Sequence, residues 1–323
     1  MYYNIFMKLS TVFFLVLIFI PILTFAAKAP VQKTPAPAAQ TQPAPPDDRY
    51  CIFGAQSGKP FNTEAAFKAL IWKSDVIYLG GAKGGLNGPP AALEVLTALK
   101  IARGPKIAVG FETLDITLQP VLDDYLSGKI TENDFVSAAA AQKERGFDFG
   151  LNKPVFDLMI RNKLRALALG VPQKLVSEIA ALGLAGLNEE DKKTLPEQIN
   201  ISRNKKYLDR LRTSFNSRGE AASPNTLSWD NYLASIAAAN EAAGAVIADF
   251  VKANPGWSVA ASVDNDRIIY NAAIPASVKN RIPKIRQASF YITAPAKCPS
   301  SFPKEHQNIA NYVWYMTTVV SGQ

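Results

Sequence analysis

Imidazole and thiol are scarce in this chain: of 323 residues, one is histidine, His306, and two are cysteines, Cys51 and Cys298. That supply is too small for a zinc ribbon, an iron–sulfur ferredoxin or a three-histidine metal enzyme, and no metal ion is expected. A serine triad would have to recruit His306, in the C-terminal tail segment. The other reactive groups favour holding an anion over breaking a bond. The turn Gly80-Gly81-Ala82-Lys83-Gly84-Gly85 offers backbone N–H groups and one cation, the parts of an anion cradle. It lacks the spacing and hydroxyl of a nucleotide P-loop, and a plain tight turn is the simpler reading. Glu112 ends an apolar run and needs a partner there. With Asp264 or Asp266 it is the carboxylate set from which a hydrolase could be built, but no catalytic residue is assigned. Cys51 and Cys298 bracket the body and fit one disulfide, the alternative being two buried thiols.

The elements that must position these groups alternate in type. Asp75 to Gly81 (DVIYLGG), Lys106 to Glu112 (KIAVGFE) and Leu164 to Gly170 (LRALALG) are short apolar runs that predict buried strands. Between and after them come helical patterns: from Pro90 to about Arg103, around Gln119 to Leu126, after a Thr131/Asp134 capping pair, and a helix closed by Gly183. A basic helix carrying Arg203, Lys205, Lys206, Arg210 and Arg212 follows, then an Ala-rich one from Trp229 to Lys252. WSVAASV, RIIYNAAI and ASFYITA are expected as further strands, with a short helix near Ser277 to Arg281. The tail from Lys304 is expected as a helix with Ile309, Tyr312, Val313 and Met316 on one side. This rhythm predicts an α/β fold: a largely parallel central sheet flanked by helices, with a helical insertion.

The first 26 residues hold Lys8, then an apolar run from Val12 to Phe25 and small residues at Thr24 and Ala26, which predicts a secretory signal peptide. An uncleaved anchor is the alternative. No cysteine stands near the cleavage position, so a lipoprotein is not expected. Residues 27–48 are a Pro/Ala-rich linker, suited to an extended tether. Residues 49–298 form the α/β domain, with a helical subdomain over about 127–253, and 299–323 a helical tail. The charge balance, 35 Lys+Arg against 27 Asp+Glu, suits anionic partners. Export argues against a nucleic-acid partner, and no membrane span is expected in the mature chain.

The ordered set of motifs resembles the ChaN-like haem-binding uptake family, related to the Tiki/TraB proteins. The matching residues are the strand ending at Glu112, Gln119-Pro120-Val121-Leu122-Asp123, and Tyr125-Leu126-Ser127-Gly128. ALALGVPQKLV from Ala166, Tyr270, and Ala273-Ile274-Pro275 continue the series. The resemblance spans roughly Ser57 to Ala294. Where the family has Glu and His in its first turn, this chain has Gly81 and Lys83; where the second turn has His, it has Arg267. With cations in place of imidazoles, a divalent metal would be repelled. The family site is then either lost or exchanged for an anion site.

The resemblance, taken with the predicted export signal, the missing catalytic groups and the cations available for carboxylates, implies a non-catalytic, periplasmic or secreted ligand-binding protein, a pseudoenzyme related to iron and haem uptake. Its ligand would be haem or another small anionic, apolar molecule, held in the sheet-edge crevice or at a homodimer face. The candidate ligand-binding residues are Lys83, Glu112, Arg267, Tyr270 as a phenolate ligand to ferric haem, and His306. The alternative is an envelope interaction or scaffold protein that kept the fold and lost the site, with another envelope protein as partner.

Overall fold

The apolar runs become the strands of one seven-stranded sheet in the computed structural model, which describes residues 51–82, 85–219 and 228–316. The strands are β1 (Ile52–Gly54), β2 (Val76–Leu79), β3 (Ile107–Asp115), β4 (Arg165–Gly170), β5 (Ser258–Ser262), β6 (Gln287–Thr293) and β7 (Tyr312–Tyr315). Their order is β1-β7-β6-β2-β5-β3-β4. Every pairing is parallel except that of β1 with β7. The carboxyl ends of β2, β5, β3 and β4 therefore lie along one edge, where open α/β sheets place their ligands.

Parallel strands need helical crossovers, and these supply both covers of the sheet. The helices are α1 (Glu64–Trp72), α2 (Gly88–Arg103), α3 (Gln119–Leu126), α4 (Glu132–Ala138), α5 (Phe149–Asn162), α6 (Gln173–Leu182), α7 (Glu189–Lys192), α8 (Lys205–Gly219), α9 (Trp229–Ala253) and α10 (Ile274–Arg281). Strand alternation sorts the core into two layers. Ile77 and Leu79 of β2 join Val95, Leu99, Phe111 and Phe156 on one face. Val76 and Tyr78 join Ile247, Val259 and Ile274 on the other. The capping box of α4 is formed by Thr131 and Asp134, and Gly183 closes α6 with φ 72°. Within 127–253 the described residues carry α4 to α9 around β4, with irregular chain over 193–204, and α9 packs against β4, α6 and α10. α9 is long and apolar enough to cross a membrane by length and composition, but Ala238, Ala243, Ile247 and Ala248 on it are buried in the body.

Two expectations are corrected. RIIYNAAI is not a strand: Asp264 caps a short turn over Asn265–Arg267, a second turn covers Ile269–Asn271, and α10 begins at Ile274. Tyr270 and Asn271 sit at φ 56° and 51°, a left-handed conformation no strand contains. The tail is not a helix in its described part: Lys304–His306 is a 3₁₀ turn and Tyr312–Tyr315 is β7. The apolar positions read at helical spacing also satisfy alternation. Tyr312, Trp314 and Met316 face one core layer, and Val313 and Tyr315 the other. The β-branched and aromatic run Tyr-Val-Trp-Tyr finds its packing between β1 and β6. β6 consequently does not close the sheet; β7 and β1 lie beyond it. The expected disulfide is present between Cys51, just before β1, and Cys298. The signal and linker regions (1–48) and Lys83 lie outside the described residues.

Candidate functional site

The central residues of the site come from strand ends. β3 carries Glu112 to the carboxyl edge, and the turn after β5 carries Asp264 and Arg267 beside it. Arg267 Nε donates to Glu112 Oε1 at 2.7 Å, and the Asp264 N–H donates to Glu112 Oε2 at 2.8 Å. Arg267 Nη1 reaches Asn240 Oδ1 of α9 at 3.1 Å, and Asn240 Nδ2 donates to the Tyr207 hydroxyl of α8 at 3.2 Å. Both oxygens of Glu112 are thus engaged, one by Arg267 and one by the Asp264 N–H. Burial alone would raise its carboxyl, but the Arg267 charge, the Asp264 N–H and the Arg267 hydrogen bond outweigh it, leaving the pKa below the usual glutamate range. Arg267 is held above its ordinary range, because Glu112 and Tyr207 more than offset its desolvation.

Around this pair lies a cavity of about 360 Å³, within the range for small-molecule sites. Leu79, Phe111, Val176, Leu211 and Ile236 give it apolar walls. The glycine turn borders it through Gly81, Ala82 and Gly85. Gly80, just before, is required by close approach: a β-carbon there would stand 2.7 Å from Ile268 Cδ1 and 2.9 Å from Phe290 O. The acids on the wall are engaged. Asp266 pairs with Arg210 at 3.0 Å, Asp148 caps α5 through the Leu151 N–H, and Asp264 accepts the Asp266 N–H at 2.9 Å. Among the described residues, no group of three or more His, Cys, Asp and Glu side chains is placed to hold a metal ion.

Asp264 differs from Glu112 in one testable respect. Burial pushes its carboxyl above the usual aspartate range, and neighbouring Glu112 and Asp266 add to the rise. The folded chain then binds this proton more tightly than the unfolded chain. The favourable contribution is complete below the unfolded pKa and is lost as pH rises through the folded one. Asp264→Asn, whose amide oxygen can still accept the Asp266 N–H, is therefore expected to melt higher than wild type near pH 7. The difference should close toward about pH 3. Thermal melts at both pH values check this; an equal gain at each would contradict it.

Tyr270 and His306 stand outside this cavity. Tyr270 is half-buried, with its N–H bonded to Ile309 O. Its phenol and that of Tyr291 lie close enough to act on the charge of Arg210, which ties this patch to Asp266 on the cavity wall. His306 ends the Lys304–His306 turn and is half-buried. Its Nδ1 lies 2.6 Å from the Tyr315 hydroxyl, its ring packs against Tyr291 and Tyr315, and burial lowers its pKa. Of the basic helix, Arg210 is spent on Asp266, and Arg212 stacks 3.9 Å over the Trp229 ring.

Sequence reasoning missed Arg145. Its Nη1 donates to Val171 O at 2.7 Å and its Nη2 to Glu112 O at 3.4 Å, while Nε is buried with no hydrogen-bond partner among the described residues. Burial lowers its pKa. A β-carbon at Gly170 would come within 2.6 Å of Nη2 and 2.8 Å of Leu114 O, so glycine there leaves room for the arginine beside β3. Its one local cue is the following Gly146 at φ 86°, which turns the chain into α5 and says nothing about β4.

An open parallel sheet with a cavity at its carboxyl edge defines the architecture of α/β ligand-binding proteins. A family profile described as "Haem-binding uptake, Tiki superfamily, ChaN" matches residues 69–278, and the chain belongs to this family. Among solved structures, the fold is similar to ChaN of Campylobacter jejuni, described in a study of cofacial haem binding. The TM-score is 0.58 at 15% identity, covering 81% of this chain and 94% of that one. A weaker likeness is to the type III effector HopBA1, with TM-score 0.46 at 10% identity over 79% and 93% of the two chains. Another is to RRSP, a MARTX toxin effector domain from Vibrio vulnificus, with TM-score 0.41 at 16% identity over 76% and 36%. No curated protein matches the sequence.

Proposed function

We propose that this chain is a non-catalytic ligand-binding protein of the bacterial envelope, and that its ligand is haem or another apolar molecule bearing acid groups. The observation that carries the reading is the cavity wall: apolar surface combined with carboxylates that all have protein donors. Glu112, bound by Arg267 and the Asp264 N–H, is not free to act as a general base. An open cavity also favours this reading over a scaffold whose site had been lost, in which the crevice would be filled. Family membership and the haem bound by the Campylobacter jejuni relative support haem within that class. The N-terminal apolar segment and the Cys51–Cys298 disulfide support an oxidising, extracytoplasmic location.

The residues fit haem in part. Haem, when bound, would supply a ferric iron able to accept a phenolate; Tyr270, outside the cavity but joined to its wall through Arg210 and Asp266, is the residue proposed to provide it. His306 has one ring nitrogen committed to Tyr315 and offers the other. Arg267 and Glu112 serve as a neutral wall rather than as ligands. The test is a haemin titration of the purified chain followed by visible absorption. A Soret shift that saturates at equimolar haemin is expected. Absorbance that only accumulates in proportion to added haemin would overturn the haem assignment.

A further inference from the structure

The proposed binding function leaves open how the cavity tells an acid from a neutral apolar molecule. Arg145 answers that question chemically. A guanidinium has five N–H donors, and two of them are spent on the carbonyl oxygens of Val171 and Glu112. These bonds are to backbone carbonyls, not to a carboxylate. Nε is buried and without a partner among the described residues, a costly state for a charged donor in a native structure. Glu112 and Asp115 lie near enough to act on its charge. However, Glu112 is taken by Arg267 and the Asp264 N–H, and Asp115 accepts from Thr117 N and Oγ1 at 2.9 Å.

A second feature adds to it. Val171, whose carbonyl Arg145 grips, stands two residues before α6. That helix begins at Gln173 on the cavity wall and has no side-chain cap. α4 and α5, by contrast, are capped by Thr131 and Asp148. The Arg145 guanidinium thus holds the chain that leads into α6, Arg145 and Gln173 both border the cavity, and a helix start favours an anion.

We propose that Arg145, backed by the start of α6, is the carboxylate-binding end of the cavity, so that the ligand enters acid group first with its apolar body against Phe111, Leu211 and Ile236. The ligand class is an apolar carboxylic acid. This rests on the proposed ligand-binding function but not on iron, and a metal-free porphyrin separates the two. The experiment titrates the full chain with protoporphyrin IX and with its dimethyl ester, read by porphyrin fluorescence. The wild type is expected to bind the diacid about ten- to a hundredfold tighter than the ester. Arg145→Met should lose that preference, and Arg145→Lys should keep part of it.

An ester that binds as well as the acid, or an Arg145→Met variant that retains the preference, overturns the proposal. Haemin binding through Tyr270 would be untouched by either result. Because Arg145 also braces β3 and the start of α6, a methionine variant that fails to fold is replaced by a measurement on the wild type. There, the Arg145 Nε–H resonance is followed on adding dodecanoate and, separately, dodecanol. A saturable shift with the acid alone supports the site, and no shift or equal shifts refute it. The same measurement decides the matter if neither porphyrin binds, an outcome that counts against haem and not against the anion site.

Discussion

Arg267→Met is expected to destabilise the folded chain by about 3 kcal/mol, because it strands the Glu112 carboxylate within β3. The pair is held at 2.7 Å, and its side chains keep only 20% and 16% of their surface exposed, which places the cost at the lower end of the range for a broken buried pair. Adding Glu112→Gln to that variant should recover most of the loss, since a neutral amide no longer needs the cation. The sign with pH follows from the depressed Glu112 pKa. Its contribution is present above the unfolded glutamate pKa and lost as pH falls through the lower folded value. The Arg267→Met deficit should therefore shrink in acid. Urea denaturation of the wild type, both single variants and the double variant measures the coupling. Equal stability of Arg267→Met and wild type would mean that the pair contributes nothing to the architecture of the site.

Loss of the Cys51–Cys298 disulfide is the second large expected effect. The bridge joins residues 247 apart, so in the chain-entropy account it removes about 5 kcal/mol of freedom from the unfolded chain, an upper value. It also anchors β1, a three-residue strand paired only with β7 at the sheet edge. Cys51→Ser/Cys298→Ser is expected to lower the melting temperature by roughly 10 °C or more, with the fraying concentrated in β1 and β7. Hydrogen exchange of the Phe53 and Trp314 amides, compared with Val109 in β3, locates the loss. Uniform loss of protection across the sheet would contradict an edge-local role.

The sequence was legible where local pattern and tertiary demand agree. DVIYLGG, KIAVGFE and LRALALG became β2, β3 and β4 because a buried parallel strand must be apolar on both faces. The Thr131/Asp134 box and Gly183 set their helix ends for reasons contained within one turn of chain. RIIYNAAI failed because a left-handed Tyr270 and Asn271 are imposed by what lies around them, including the Tyr270 N–H bond to Ile309 O. The tail failed because Ile309, Tyr312, Val313 and Met316 suit two periods at once, and only the vacant position between β1 and β6 selects the strand.

Within the site, Glu112 and Arg267 were visible as a buried acid and a nearby cation. Arg145 was not visible, since its position depends on a close passage over Gly170 that no local pattern encodes. Tyr270 and His306 were singled out as ligand-binding candidates, yet the fold sets them beside Tyr291 rather than in the cavity.

The most direct test of the central claim is a haemin titration of the purified chain beside its Tyr270→Phe variant, each followed by visible absorption. Saturable binding by the wild type, with weaker affinity and a changed iron spectrum in the variant, is the result this account predicts. A wild-type chain that never saturates, or a variant whose affinity and spectrum match it, would contradict a haem-binding protein that uses Tyr270 as its iron ligand.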